Sequence, residues 1–327
     1  MQRPVRIVFF GTPQFAVPSL QALIASAHTV VGVVTQPDKP RGRGQHVTDS
    51  PVKQLAREHS IPVLQPERLK DEAVLAALQA LDADLGVVAA YGKILPAPVL
   101  AAPRFGLINV HASLLPRYRG AAPIARAVMA GDSETGISIM HVVQALDAGA
   151  VYKTASRPIG PDETSVEVEA DLARLGAALL LDVIEDLASG RAAAEPQDDR
   201  ASTYAPRLQK DESAIDWSAP SLVIHNRVRG LQPWPLASTW LEHRRLIILK
   251  TRIGAGAEPA EPGTIVGVER DAWRVRTGDG VLDVLMVQPD GRRAMSVRDF
   301  AAGHRLSAGV RFGAAPTDPG LPASATP

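Results

Sequence analysis

Four short apolar runs, RIVFFG, HTVVGVVT, DLGVVAAY and FGLINV, crowd the first third of the chain and limit its fold more than any other feature. They are rich in Val, Ile and Leu and break off near Gly, Pro or polar residues. That is the pattern of strands buried on both faces. Between them lie TPQFAVPSLQALIAS, SPVKQLAREHS and PERLKDEAVLAALQAL, whose apolar residues recur at helical spacing. IPVLQ adds a short strand between the last two, and TGISIMHVV adds one further on. Strand–helix–strand alternation builds a parallel sheet with helices on its faces. The expected fold is therefore α/β: a Rossmann-like, mostly parallel sheet with helices on both faces. Gly11 allows close backbone approach at the first turn. A dinucleotide site would need G-x-G-x-x-G, but Thr12 to Phe15 follow Gly11 and position 16 is Ala16.

The stretch Asn109 to Pro123, NVHASLLPRYRGAAP, is the best candidate for chemistry. Strand side chains alternate faces, so Asn109 and His111 point one way while Ile108 and Val110 point the other. An amide and an imidazole side by side can both donate toward one oxygen, and the imidazole can also take a proton. Two such groups on one face of an apolar strand end would be costly to bury without a use. Arg117, Arg119 and Gly120 follow in the loop, and open α/β sheets hold ligands where strand ends run into loops. In ALDAGAVY, Asp147 read from its surroundings alone suits a turn. YGKILP leaves its strand at the same sheet edge, where backbone groups can bind a flat heterocycle or simply turn the chain.

A chain of 327 residues is long enough for two domains, and the absence of cysteine removes disulfides, thiolate catalysis and Cys-ligated zinc. No run reaches the length of a membrane span and no leader is read at the start, so a cytoplasmic protein is expected. A long amphipathic helix, SVEVEADLARLGAALLLDVIEDLASG, closes the first domain, and RAAAEPQDDRASTYAPRLQKDESAID has the composition of a linker. After the helix SLVIHNRVRGL come five short strands with Gly/Asp turns, the pattern of a small OB-like β-barrel. The expected division is a catalytic domain over 1–206, a barrel over 207–312, and a disordered tail over 313–327. Residues 1–206 hold 19 Lys+Arg against 22 Asp+Glu, and 207–312 hold 16 against 12. The barrel is thus the basic half, the direction expected if it meets a polyanion. Arg244, Arg245, Lys250, Arg252, Arg274 and Arg276 lie on its strands, where they could meet an RNA backbone or only solvent. A second basic segment, residues 35–53, carries Lys39, Arg41 and Arg43 among Pro and Gly that disfavour regular structure. By composition it is a solvated loop or an arm that orders on phosphate.

NVHASLLPRYRGAAPI is similar to the signature of folate-dependent formyltransferases. The wider chain resembles the methionyl-tRNA formyltransferase family through FFGTPQFAVPSL, TQPDKPRGRG, SPVK, VVAAYGKILP, ALDAGAVY, YAPRL, IDW and QPWPLAST. The similarity runs from Arg6 to about Phe312. It implies transfer of a formyl group from 10-formyltetrahydrofolate to the amino group of initiator methionyl-tRNA, with no metal. It also implies that Asn109, His111 and Asp147 are catalytic, that Ser113, Leu114, Leu115 and Pro116 contact the folate, and that the 35–53 segment meets the tRNA acceptor stem. Lys39, Arg41 and Arg43 would make those contacts, with Arg43 at the key position. Ala145 and Ala150 depart from the Gly and Asp frequent at those places in the family, which bears on the loop's geometry. In this chemistry Asn109 and His111 hold the developing oxyanion, while His111 or Asp147 manages the proton, with Asp147 fixing the imidazole tautomer. A monomer is expected. The same chemistry on a small-molecule amine, or tRNA binding without catalysis, are the alternatives; the first lacks use for the barrel and the 35–53 arm, the second for the Asn/His/Asp trio.

Overall fold

β1 (Arg6–Gly11) lies in the middle of the first sheet, as its unbroken apolar sequence requires: only the first of its residues is not buried. The computed structural model describes residues 3–38, 40–41, 46–256, 258–304 and 306–313. With β2 (Thr29–Val34), β3 (Val63–Leu64), β4 (Leu85–Ala89), β5 (Leu107–His111), β6 (Glu134–His141) and β7 (Val151–Pro158), β1 forms a seven-stranded sheet of order β7-β6-β5-β4-β1-β2-β3. The β1, β2, β3, β4 and β5 pairings are parallel; β6 runs antiparallel to β5, and β7 to β6. The strand order reverses beside β1, and the carboxyl ends of β1, β4 and β5 share one edge, the ligand edge of such sheets. At Gly11 a Cβ would sit 2.7 Å from the Phe9 ring and 3.0 Å from the Ala89 carbonyl, so close strand–turn packing does require glycine there.

Helices cover both faces. α1 (Val17–Ile24) and α2 (Pro51–Glu58) follow the first two strands, and α3 (Glu72–Ala80) precedes β4. Leu78 of α3 joins Val8, Phe10, Val88, Tyr91 and Leu107 in one core cluster. On the other face the long helix α5 (Ser165–Ala188) presses Gly176 against Val110 and Ile137; a Cβ at Gly176 would lie 2.7 Å from Val110. Between these two helices in sequence is α4 (Pro123–Ala130). Each fully buried Leu, Ile, Val or Phe here contributes roughly 1.5–3 kcal/mol of apolar transfer.

The chain divides into two compact units. The first comprises Met1–Arg126, Ser133–Gly160 and Val166–Arg207; the second comprises Ala127–Asp132, Pro161–Ser165 and Leu208–Pro327. In the second, α6 (Ser221–Gly230) accompanies β8 (Ala237–Leu241), β9 (Arg244–Gly254), β10 (Ile265–Val268), β11 (Trp273–Arg276), β12 (Val281–Pro289) and β13 (Phe312–Gly313). The antiparallel order is β10-β11-β12-β9-β8-β13, and a Thr264–Arg311 bridge brings the last strand back beside the first. The curled sheet is OB-like. Its interior holds Trp273, fully buried, and a Trp217–Phe312 stack with centroids 5.2 Å apart.

Four details depart from the sequence reading. VYKTASRP forms edge strand β7, whose polar residues alternate outward and so carried no apolar run to read. Pro40–Arg41 pairs with His46–Val47 inside the segment expected to lack regular structure. Gly313, expected in the tail, is paired with Trp240; residues 314–327 lie outside the described ones. The run read as a linker is tied down along its length: Glu195 bridges Val151, and Tyr204–Ala205 pairs with Arg119–Gly120.

Candidate active site

β5 sets the first two groups. Leu107 faces the α3-side core, so Asn109 and His111, two and four residues on, continue that face past the apolar layer to the sheet edge. Val110 faces α5 instead. Asn109 is half-buried, and no hydrogen bond of its amide is recorded among the described residues. His111 is only 5 % exposed. Its Nε2 lies 3.0 Å from the Tyr118 carbonyl. A carbonyl only accepts, so Nε2 carries the proton and Nδ1 is left to face Asp147 Oδ2 at 3.7 Å. The tautomer is therefore set by Tyr118, whereas Asp147 was expected to set it; 3.7 Å is beyond hydrogen-bond range.

Asp147 comes from the loop between β6 and β7. The His141 amide donates to the Ala150 carbonyl, 2.8 Å, and closes the loop's base. Gly149 makes that closure feasible, since a Cβ there would lie 1.8 Å from the His141 carbonyl oxygen. Asp147 itself has φ of 48° and Tyr118 a φ of 58°, both in the left-handed region. Asp tolerates that region; a Tyr there is unusual and marks a backbone held by its surroundings. The Asp147 Oδ2 accepts from the Gly120 amide at 2.9 Å. Gln197 clamps the same loop from outside: its Nε2 donates to the carbonyls of Asp147 and Gly149, at 2.8 and 2.7 Å. Arg119 in turn donates to Gln197 Oε1 and to Asp199.

Gln197 was missed in the sequence because it sits in the linker-like run. Tyr118 and Gly120 lie in the candidate stretch, but they act through backbone atoms, a role that no side-chain pattern advertises. Ser138, fully buried on β6, was missed as well: its hydroxyl donates to the Ser113 carbonyl, 2.7 Å, and accepts from the Leu115 amide, 3.0 Å. The Ser113 hydroxyl donates to the Arg117 carbonyl, 2.6 Å, so the SLLP turn is internally bonded. Leu114 packs over Gly136, while Leu115 and Pro116 are half-buried.

Lys39 and Arg43 lie outside the described residues, and only the backbone of Arg41 is described. The flanks of that segment are well defined. Lys53, 5 % exposed, binds Asp38 on one flank and Asp49, at 2.8 Å, on the other. Gln65 adds a 2.9 Å bond to Asp38, and Arg57 pairs with Asp49. The Lys53 ammonium and the Gln65 amide hold the Asp38 carboxyl below the usual range, and the Asp38 and Asp49 carboxylates hold Lys53 above its own.

On the second unit, Arg252 is paired with Asp283 and Arg274 with Glu258, while Arg276 donates to the Gly280 carbonyl. Arg244 and Lys250 are exposed, and Arg245 donates to Ser238. A groove of about 620 Å³ beside them is lined by Lys250, Arg252 and Arg270 together with Glu269 and Asp271. Its charge is mixed rather than basic. No described helix is long and apolar enough to cross a membrane.

The Formyl transferase family model matches residues 5–184, and the model of its C-terminal domain matches 207–305. The methionyl-tRNA formyltransferase of Methylococcus capsulatus is 48 % identical over 94 % of this chain and 100 % of its own. That of Symbiobacterium thermophilum is 47 % identical over 94 % and 95 %. Among solved structures, WlaRD, a sugar 3N-formyl transferase solved with dTDP and 5-N-formyl-THF, superposes with a TM-score of 0.65 at 16 % identity, covering 89 % of this chain and all of that one. HypX from Aquifex aeolicus in complex with tetrahydrofolic acid gives 0.62 at 14 % identity over 91 % of this chain and 47 % of that one. At such identities those two speak for the fold alone. The chain belongs to the formyltransferase family and, within it, to the methionyl-tRNA formyltransferases.

Proposed function

We propose that the protein transfers the formyl group of 10-formyltetrahydrofolate to the free amino group of initiator methionyl-tRNA, in the cytoplasm, and that Asn109, His111 and Asp147 carry the reaction. The observation that carries this reading is the facing pair of His111 Nδ1 and Asp147 Oδ2, 3.7 Å apart, with each partner held by backbone from the same Tyr118–Gly120 segment. An amine arriving beside the pair has two proton acceptors within reach. As its nitrogen bonds to the formyl carbon, the bond from that carbon to the donor nitrogen breaks. The amine loses a proton and the departing nitrogen gains one, so charge balances. Nδ1 can take the proton, and the nearby carboxylate stabilises the imidazolium that forms. The Asn109 amide, free of recorded partners on the same face, can donate to the oxygen as it becomes negative; one such donor is worth about 10²–10³ in rate.

The turn after β4 fits a flat reduced pterin. Ala90 and Gly92 have positive φ of 46° and 80°, the Tyr91 carbonyl is tied to Gln36, and Ile94 is 85 % exposed at the rim. Leu115 and Pro116 lie at the end of the adjacent strand. Lys39, Arg41 and Arg43, with the exposed Arg244 and Lys250 of β9, supply phosphate contacts to the acceptor stem. The test is a direct one: formyl transfer to initiator methionyl-tRNA, elongator methionyl-tRNA and glycinamide ribonucleotide. Initiator methionyl-tRNA is expected to react far faster than the other two. Preference for the small amine would overturn the reading.

A further inference from the structure

Tyr204 is 64 % exposed, unlike the aromatic side chains of the cores. It is also fixed in place. The segment 203–205 runs parallel to Arg119–Gly120: the Arg119 amide donates to the Thr203 carbonyl at 2.9 Å, the Ala121 amide to the Ala205 carbonyl at 2.9 Å, and the Tyr118 amide to the Thr203 hydroxyl at 2.8 Å. The ring leans on Gly120, where a Cβ would meet its Cε2 at 2.7 Å. Gly120 is the residue whose amide holds Asp147, 2.9 Å away. An open aromatic surface therefore stands one residue from the group facing His111.

We infer that Tyr204 is a stacking platform for the terminal adenine of the acceptor. This rests on the function proposed above. In an aminoacyl-tRNA the reacting amine is only a few bonds from the terminal ribose. An amine seated beside His111 and Asp147 thus brings the terminal nucleoside to the rim that Gly120 and Tyr204 form. The acceptor end is single-stranded, so its bases have open π-faces, and such bases stack on exposed aromatic side chains. A ring kept only to cover Gly120 would bury its area; this one leaves most of it in solvent. The ladder to Arg119–Gly120 also orders the ring in advance, which reduces the entropy lost on binding.

The experiment compares parent, Tyr204→Phe and Tyr204→Leu on two substrates, methionyl-tRNA and methionyl-tRNA whose terminal nucleotide lacks its base. Tyr204→Leu is expected to raise KM for methionyl-tRNA about 5- to 100-fold, with the KM for the formyl donor unchanged and Tyr204→Phe close to the parent. Removing the base should penalise the parent and Tyr204→Phe, and should hardly affect Tyr204→Leu. Equal penalties in parent and Tyr204→Leu would overturn the stacking role. If Tyr204→Leu folds poorly, the Tyr204→Phe variant and the parent still decide: no penalty for the missing base in either removes the platform. Failure of the parent itself to formylate methionyl-tRNA would instead defeat the underlying function, an outcome visible without any variant.

Discussion

The imidazole of His111 is fixed by one carbonyl, that of Tyr118, and this leaves Nδ1 as the reactive nitrogen. His111→Ala should lower kcat about 10²–10⁴-fold with little change in folate affinity, as measured by steady-state turnover and calorimetry. Asp147 does two jobs that substitution can separate. Its Oδ2 accepts from the Gly120 amide, which an asparagine can also do, and its charge faces His111, which an asparagine lacks. Asp147→Asn should therefore keep the melting temperature within a few degrees and still lose about 10² or more in kcat. A variant with parental turnover would confine Asp147 to loop geometry. Away from the centre, the Tyr91 hydroxyl is buried with no hydrogen-bond partner among the described residues, and burial pushes its ionisation up to about 12. Tyr91→Phe should leave stability unchanged or raise it by up to about 1 kcal/mol in urea titrations; a loss above about 1 kcal/mol would show that the hydroxyl is satisfied.

Strands and loops explain which of these residues were legible beforehand. Asn109 and His111 could be paired because strand alternation is a local rule, and the apolar run fixed which face they share. Asp147 read as a turn residue until the resemblance to formyltransferases singled it out. Gln197 was illegible: it reaches Asp147 across 50 positions from a polar, Ala/Pro-rich run whose composition says linker. The loop between β6 and β7 depends on Gly149, and Gly149→Ala, with its Cβ 1.8 Å from the His141 carbonyl, should pry the loop open and abolish turnover while the sheet persists by circular dichroism. The corner around α2 carries a pH signature. Asp38, held low by Lys53 and Gln65, adds stability that is complete above its unfolded pKa near 3.9 and is lost as pH falls through its lowered native value. Lys53, held high, adds stability that is complete below about 10.4 and is lost as pH rises through its raised value. The cost of Lys53→Met, about 2–4 kcal/mol because two carboxylates lose their cation, should stay level between these limits and shrink below about pH 4. A cost that does not vary with pH would mean the loss is one of packing.

Across both units, the charge asymmetry of the chain is slight, so recognition of a polyanion must come from local clusters. Arg252 and Arg274 of the curled sheet are already paired with carboxylates, whereas Arg244 and Lys250 are exposed. Plots of log(kcat/KM) for methionyl-tRNA against log salt should fall linearly, and Arg43→Ala should flatten the slope by just under one unit. An unchanged slope would remove Arg43 from phosphate contact. The central claim is that His111 and Asp147 act on the amine of methionyl-tRNA, and it is tested most directly by single-turnover formyl transfer in the His111→Ala protein with donor and methionyl-tRNA both saturating. The expected result is a rate at least about 10²-fold below the parent with both substrates still bound; a rate within a few-fold of the parent would contradict it.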